Sequence, residues 1–304
     1  MSQSRRVPLK TGVTLNVALA GPPDAPPVVL LHGFPESHRS WRAIAPRLAD
    51  RFRLIMPDQR GYGQSDRPQE VDAYRTNRLV ADVFALAEAL ELGEFALVGH
   101  DWGGAVAWAA ALAGDERLTR LAIINSPHPA IFQKSLIEDS EQRAASQYVN
   151  ALRAPGIEAF IEKRGFDWFF ERTFSPHMDL GLIPENEKRR YIADWSKPGA
   201  LTAMVNWYRA SPLIVPLPGI NVPIPDSLLR FSTRVEIPTL VVWGMRDPAL
   251  LPVQLQGLDD LVDDLQILRL PGAGHFAPWE APHEVAAALG PFLAATPAAT
   301  APAR

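Results

Sequence analysis

The stretch Val98 to Gly104, VGHDWGG, places Asp101 at the centre of a Gly-x-nucleophile-x-Gly turn. An apolar run of strand length, Phe95 to Val98, precedes it, and a small-residue segment of helical character, Ala105 to Ala113, follows. In a strand–turn–helix elbow, glycines permit strained backbone and close packing, and the central side chain is lifted above the sheet edge. Aspartate is also a favoured helix N-cap, but a cap requires neither the flanking glycines nor the strand. A carboxylate here changes the available chemistry. A serine alkoxide attacks a carbonyl, whereas a carboxylate can displace a leaving group at saturated carbon and leave an alkyl-enzyme ester.

Such an ester needs a base to activate the water that hydrolyses it. His275, in LPGAGHFAPWE, is flanked by Gly272 and Gly274 and reads as a side chain displayed on a loop after the strand-like LQILRL. Asp247 follows the run ending at Gly244 and is its candidate orienting acid; Asp259, Asp260, Asp263 and Asp264 read instead as a solvated helix face and its exit. His32 reads as a hydrogen-bonding anchor of its loop. His38, His100, His128, His177 and His283 show neither His-x-x-x-His spacing nor a carboxylate cluster, so no metal is expected.

Apolar runs at Val28–Leu31, Phe52–Met56, Phe95–Val98, Leu121–Ile124 and Thr239–Trp243 predict strands buried on both faces, the pattern of a parallel sheet covered by helices. Thr76 to Leu92 carries Leu79, Val83, Leu86 and Leu90 at helical spacing. The fold class is α/β. The alternation stops after Ser126, and aromatic-rich helical segments such as GFDWFFERTF take over; SPLIVPLPGINVPIP (211–225) reads as extended loop. The expected division is a core in two parts, 1–126 and 235–304, with a helical cap at 127–234 inserted between them. The Ala-, Pro- and Thr-rich tail from about 294 is expected to be disordered.

At 304 residues, with 47% hydrophobic and 21% charged residues, the composition is that of an ordinary globular chain. A net charge of −4 without basic clusters argues against nucleic acid and anionic membrane as partners. No apolar run approaches a bilayer span, and the N-terminus lacks a signal peptide's apolar core. The absence of cysteine excludes disulfides and thiolate chemistry. A soluble cytoplasmic protein is expected; its oligomeric state is left open.

Taken together, HGFPESHRSWR, PDQRGYGQSDRP, GHDWGG, INSPHPAIF, NWYRASP and GAGHFAPWE resemble the motifs of the α/β-hydrolase superfamily, and within it the epoxide hydrolases, in their order and over essentially the whole chain. The resemblance implies the α/β-hydrolase fold, the triad order Asp101, Asp247, His275, and an oxyanion hole from the backbone amides of Phe34 and Trp102. It also implies two cap tyrosines that polarise an epoxide oxygen. Tyr208 in NWYRA matches one. Tyr148 matches the other, seven residues before a Pro-Gly pair, although the intervening VNALRA departs from the usual aromatic-rich form. The implied reaction joins a small apolar epoxide and water into a vicinal diol, without cofactor or metal.

Two other readings stay open. A haloalkane or haloacetate dehalogenase shares the Asp nucleophile, and Trp102 could donate to a halide. Against it stand Trp102, Gly103 and Ala105 beside the nucleophile, where a fluoroacetate dehalogenase is expected to carry arginines, and Phe34, where many haloalkane dehalogenases place asparagine. A non-catalytic ligand-binding member of the fold is the third reading, since fold alone does not set function.

Overall fold

In the computed structural model, which describes residues 3–225 and 234–295, eight strands form one sheet in the order β1-β2-β4-β3-β5-β6-β7-β8. They are β1 (Gln3–Pro8), β2 (Thr14–Ala20), β3 (Pro27–Leu31), β4 (Arg53–Pro57), β5 (Phe95–His100), β6 (Leu118–Ile124), β7 (Thr239–Gly244) and β8 (Leu265–Leu270). Pairing is antiparallel at β1–β2 and β2–β4 and parallel across the rest.

The central strands are apolar on both faces because each face has its own core. Val29, Leu31, Leu97, Ile123 and Val241 pack on one side, and Val28, Leu30, Val98, Ile124 and Val242 on the other. This is the two-residue period of a strand with neither side toward water.

Every predicted strand is present, within a few residues at its ends. β1 and β2 were not predicted. In β1 only Val7 is buried among Ser4 to Pro8, and β2 carries the buried Asn16, which breaks an apolar run and donates to Asp58 at 2.8 Å. The helix of the elbow, Trp102–Leu112, starts three residues before the small-residue segment read from the sequence. Asp259 to Asp264 are mostly exposed as expected, but they lie in turns rather than on a helix.

Between β6 and β7 the described residues contain helices and no strand: Pro129–Glu138, Ser140–Ala145, Gln147–Arg153, Ile157–Arg164, Phe166–Phe174, Glu185–Trp195 and Ala200–Ala210. Ser211 to Pro225 then runs without regular secondary structure apart from a turn. The last helix, Pro282–Ala294, packs Val285, Ala286 and Leu289 onto the sheet. The tail expected to be disordered lies, beyond Ala295, outside the described residues. Among the described residues no helix is long and apolar enough to cross a membrane.

Candidate active site

Asp101 closes β5 with φ 51° and ψ −120°. A non-glycine residue held there is strained by roughly 1–3 kcal/mol, and the surroundings enforce it. Its carbonyl accepts from Ser126 Oγ at 2.7 Å, and a side chain at Gly33 would collide with the Asp101 carboxylate, its Cβ falling 2.6 Å from Oδ1. The Asp101 side chain makes no capping hydrogen bond to its own helix. The residue is therefore not acting as a helix cap.

Instead the carboxylate is divided between two partners. Oδ1 accepts the Phe34 backbone N–H at 2.7 Å, while Oδ2 lies 3.6 Å from His275 Nε2. Trp102, the first residue of its helix, has a backbone N–H without an intrahelical acceptor, as do the other amides of a first turn. Burial pushes the Asp101 carboxyl up, but His275 3.6 Å away, with the charge of His100 and the Phe34 amide, outweighs it and leaves it below its ordinary value. The nucleophile candidate is ionised.

His275 and its candidate acid, Asp247, lie side by side. His275 Nδ1 lies 2.7 Å from Asp247 Oδ2, and Asp247 Oδ1 accepts the Ala249 and Leu250 amides, each at 2.9 Å. Burial lowers the His275 imidazole, yet Asp247, followed by Asp101, raises it well above its ordinary value. Burial likewise raises the Asp247 carboxyl, and the His275 charge reverses this.

Four residues that support this line were not assigned from the sequence. Asn125, at the end of β6 with φ 42°, donates to Asp247 Oδ2 at 2.9 Å and accepts from the Gly244 amide at 2.9 Å. An asparagine after an apolar strand was the available signal, because Asn tolerates left-handed backbone. Glu36 accepts from Trp279 Nε1 at 2.7 Å and approaches His100 Nδ1 at 3.2 Å, off the line of a good hydrogen bond. His100 Nε2 in turn meets the His275 carbonyl at 2.8 Å. Gln142, from the helical segment after β6, donates to Ala249 O at 2.7 Å and accepts from Leu251 N at 2.8 Å, bracing the loop whose amides hold Asp247.

Tyr208 packs edge-on against Phe34 and Trp102, with ring centroids 5.0 and 5.1 Å away, and Tyr148 stands 6.2 Å from Tyr208 at 83°. Burial, and after it the charge of Asp101, pushes both phenols above their ordinary value. Both remain protonated donors beside the carboxylate. The residues before Tyr208 dock it to the core: Trp207 Nε1 donates to Arg60 O and Asn206 Nδ2 to Gln69 O, each at 3.0 Å. His32 holds its loop as expected, accepting the Gln59 amide at 3.0 Å through Nε2.

A sheet of this topology, with a strained carboxylate elbow between two loop-borne partners, defines an α/β-hydrolase. A family model described as the alpha/beta hydrolase fold matches residues 26–282. Epoxide hydrolase A of Mycobacterium tuberculosis is 32% identical, covering 93% of this chain and 94% of its own. An AB hydrolase superfamily protein of Bacillus subtilis is 37% identical over 78% of this chain and 79% of its own. A solved structure described among novel epoxide hydrolases from metagenomes of hot environments superposes with a TM-score of 0.89 at 44% identity, over 97% of this chain and 100% of that one. The chain belongs to the α/β-hydrolase superfamily and, within it, to the epoxide hydrolase family.

Proposed function

We propose that the protein hydrolyses epoxides to vicinal diols through an ester on Asp101, with residues 127–234 acting as the cap over the two core segments. The observation that carries this reading is geometric: Tyr208 packs edge-on on Phe34 and Trp102, the residues that flank the strained Asp101 carboxylate, with the Tyr148 ring 6.2 Å from that of Tyr208. Oδ2 of Asp101 attacks an epoxide carbon as the carbon–oxygen bond of the ring breaks. The phenols donate to the departing oxygen, where negative charge develops. Oδ1, on the Phe34 amide, becomes the ester carbonyl oxygen.

Alkylation also readies the second step. The free enzyme keeps His275 between two carboxylates, which favours the imidazolium. Ester formation removes the Asp101 charge and lowers the imidazole toward its neutral, basic form. His275 then takes a proton from water, Asp247 stabilises the imidazolium, and the hydroxide attacks the ester carbonyl. The oxyanion rests on the Phe34 and Trp102 amides. Collapse expels the diol, its alkoxide taking the proton of the newly formed Asp101 carboxyl. His275 is again the imidazolium of the free enzyme, and the proton it gave up on alkylation has, through solvent, restored the phenols.

The dehalogenase reading fits less well, because the residues beside the nucleophile, Trp102, Gly103 and Ala105, include no arginine for a haloacetate carboxylate, and Phe34 stands where many haloalkane dehalogenases place asparagine. The reading includes a cytoplasmic location, supported by the cysteine-free, ordinary globular composition. Diol formation from styrene oxide, measured beside halide release from a bromoalkane and fluoroacetate, tests the function. A higher kcat/KM for epoxide is expected; faster halide release would overturn the reading.

A further inference from the structure

The two phenols come from separate helices, Gln147–Arg153 and Ala200–Ala210, so something must set their spacing. The contact that joins the two helices ends at Arg153. Its Nε donates to the carbonyl of Tyr208 itself at 2.8 Å, one terminal nitrogen donates to Leu213 O at 2.8 Å, and the other donates to Ser211 O at 3.0 Å. The same helix adds Asn150 Nδ2 to Val215 O at 3.1 Å and Gln147 Nε2 to Pro216 O at 3.0 Å. Tyr208 lies in the last turn of its helix, where its carbonyl otherwise takes only the long 3.3 Å bond from the Ser211 amide, and the chain beyond has no regular secondary structure apart from a turn. A planar guanidinium supplies donors in a fixed fork, which a lysine does not. The acceptors recorded for Arg153 are all carbonyls, so it acts as a clamp rather than half of an ion pair.

We propose that Arg153 is a positioning residue that fixes Tyr148 and Tyr208 as a pair, so that ring opening depends on it and ester hydrolysis does not. This rests on the epoxide hydrolase reading. It also accounts for the departure at VNALRA: Asn150 and Arg153 hold the Tyr148 helix by hydrogen bonds to the chain at and after Tyr208. Arg209, beside Tyr208, adds a tie to the next helix, Ile157–Arg164, through a two-point ion pair with Glu158 at 2.5 and 2.8 Å.

The test compares full-length wild type, Arg153→Met and Arg153→Lys in single turnovers of styrene oxide, resolving alkylation from hydrolysis, with thermal melting on each sample. A misplacement of about 1 Å can cost up to ~10²-fold in rate. Arg153→Met is expected to slow alkylation by about tenfold and to leave hydrolysis within about twofold, with Arg153→Lys between it and wild type. In a Tyr148→Phe background the same change should cost less than in wild type, because only the placement of Tyr208 is then left to lose. Equal loss in both backgrounds, or loss of both steps in parallel with the melting temperature, overturns the proposal. So does a wild-type alkylation rate in Arg153→Met. Should Arg153→Met not fold, Arg153→Lys and Asn150→Ala are read by the same criteria. If wild type forms no diol, the functional reading has failed as well; if it does, the Arg153 result stands alone.

Discussion

Nε2 of His275 lies 3.6 Å from Oδ2 of Asp101, too long for a strong hydrogen bond and short enough for the two charges to act on each other. The same histidine holds Asp247 at 2.7 Å through its other nitrogen. One imidazole thus reads the charge state of the nucleophile while its orientation is set elsewhere.

The first consequence concerns the source of the diol oxygen. In the proposed mechanism water attacks the ester carbonyl, so the oxygen delivered in the first turnover is one that Asp101 already carried. With enzyme in excess in ¹⁸O-water, the label should enter the Asp101 peptide and not the product. His275→Ala should still alkylate, so the protein mass should rise by one substrate. Label in the first diol would make Asp101 a general base on water instead.

In the proposed mechanism the phenols act in the first step only. Tyr148→Phe or Tyr208→Phe should each slow ring opening, by roughly 10²–10⁴-fold if its partner does not compensate. The double variant should nearly abolish diol formation while its circular dichroism stays unchanged. Full turnover by a folded double variant would remove both tyrosines from the mechanism.

The pH profiles of the two steps should differ. Asp101 is held below the ordinary carboxyl range, so alkylation should stay level from neutral pH into weak acid. Hydrolysis needs neutral His275 and should decline as pH falls through the imidazole's value in the ester, which lies below its raised value in the free enzyme. Rapid-quench measurement of both rates between pH 5 and 9 checks this, with pH 5 and 9 bracketing roughly the histidine range. Coincident acid limbs in both steps would contradict it.

Away from the site, Asp58 is 1% exposed and accepts from His38 Nδ1 at 2.6 Å, the His38 amide at 3.0 Å, Asn16 at 2.8 Å and the Gln64 amide at 3.1 Å. Burial raises its carboxyl, but His38 leads the partners that pull it far below the ordinary value. A lowered carboxyl adds stability above its unfolded value and loses it as pH falls toward the folded one. Asp58→Asn should cost about 3 kcal/mol at pH ~7, and the gap should narrow below about pH 4. Urea unfolding at several pH values measures it; a gap independent of pH would rule out the charge as its origin.

Much of this protein is local and therefore legible in the chain itself. Apolar runs mark β3 to β7 because a strand buried on both faces has no polar side to show. Asp101 announces itself because a strained elbow needs glycines at fixed offsets, and His275 because glycines flank it. The edge strand β1 left no such trace, since an edge tolerates exposed and polar residues, and in β2 the buried Asn16 interrupts the apolar run. Other features depend on distances between segments far apart in sequence. Asp247, rather than its four aspartate neighbours, meets His275 because Asn125 and the Ala249 and Leu250 amides hold it there. The pairing of Tyr148 with Tyr208 is likewise tertiary. Sixty residues separate them in sequence, and the bonds from Arg153 to Tyr208 O and the carbonyls after it form only once the helices pack. Residue type and spacing select the reacting groups; packing decides which of them meet, because a hydrogen bond weakens steeply with misplacement and no local pattern encodes that separation.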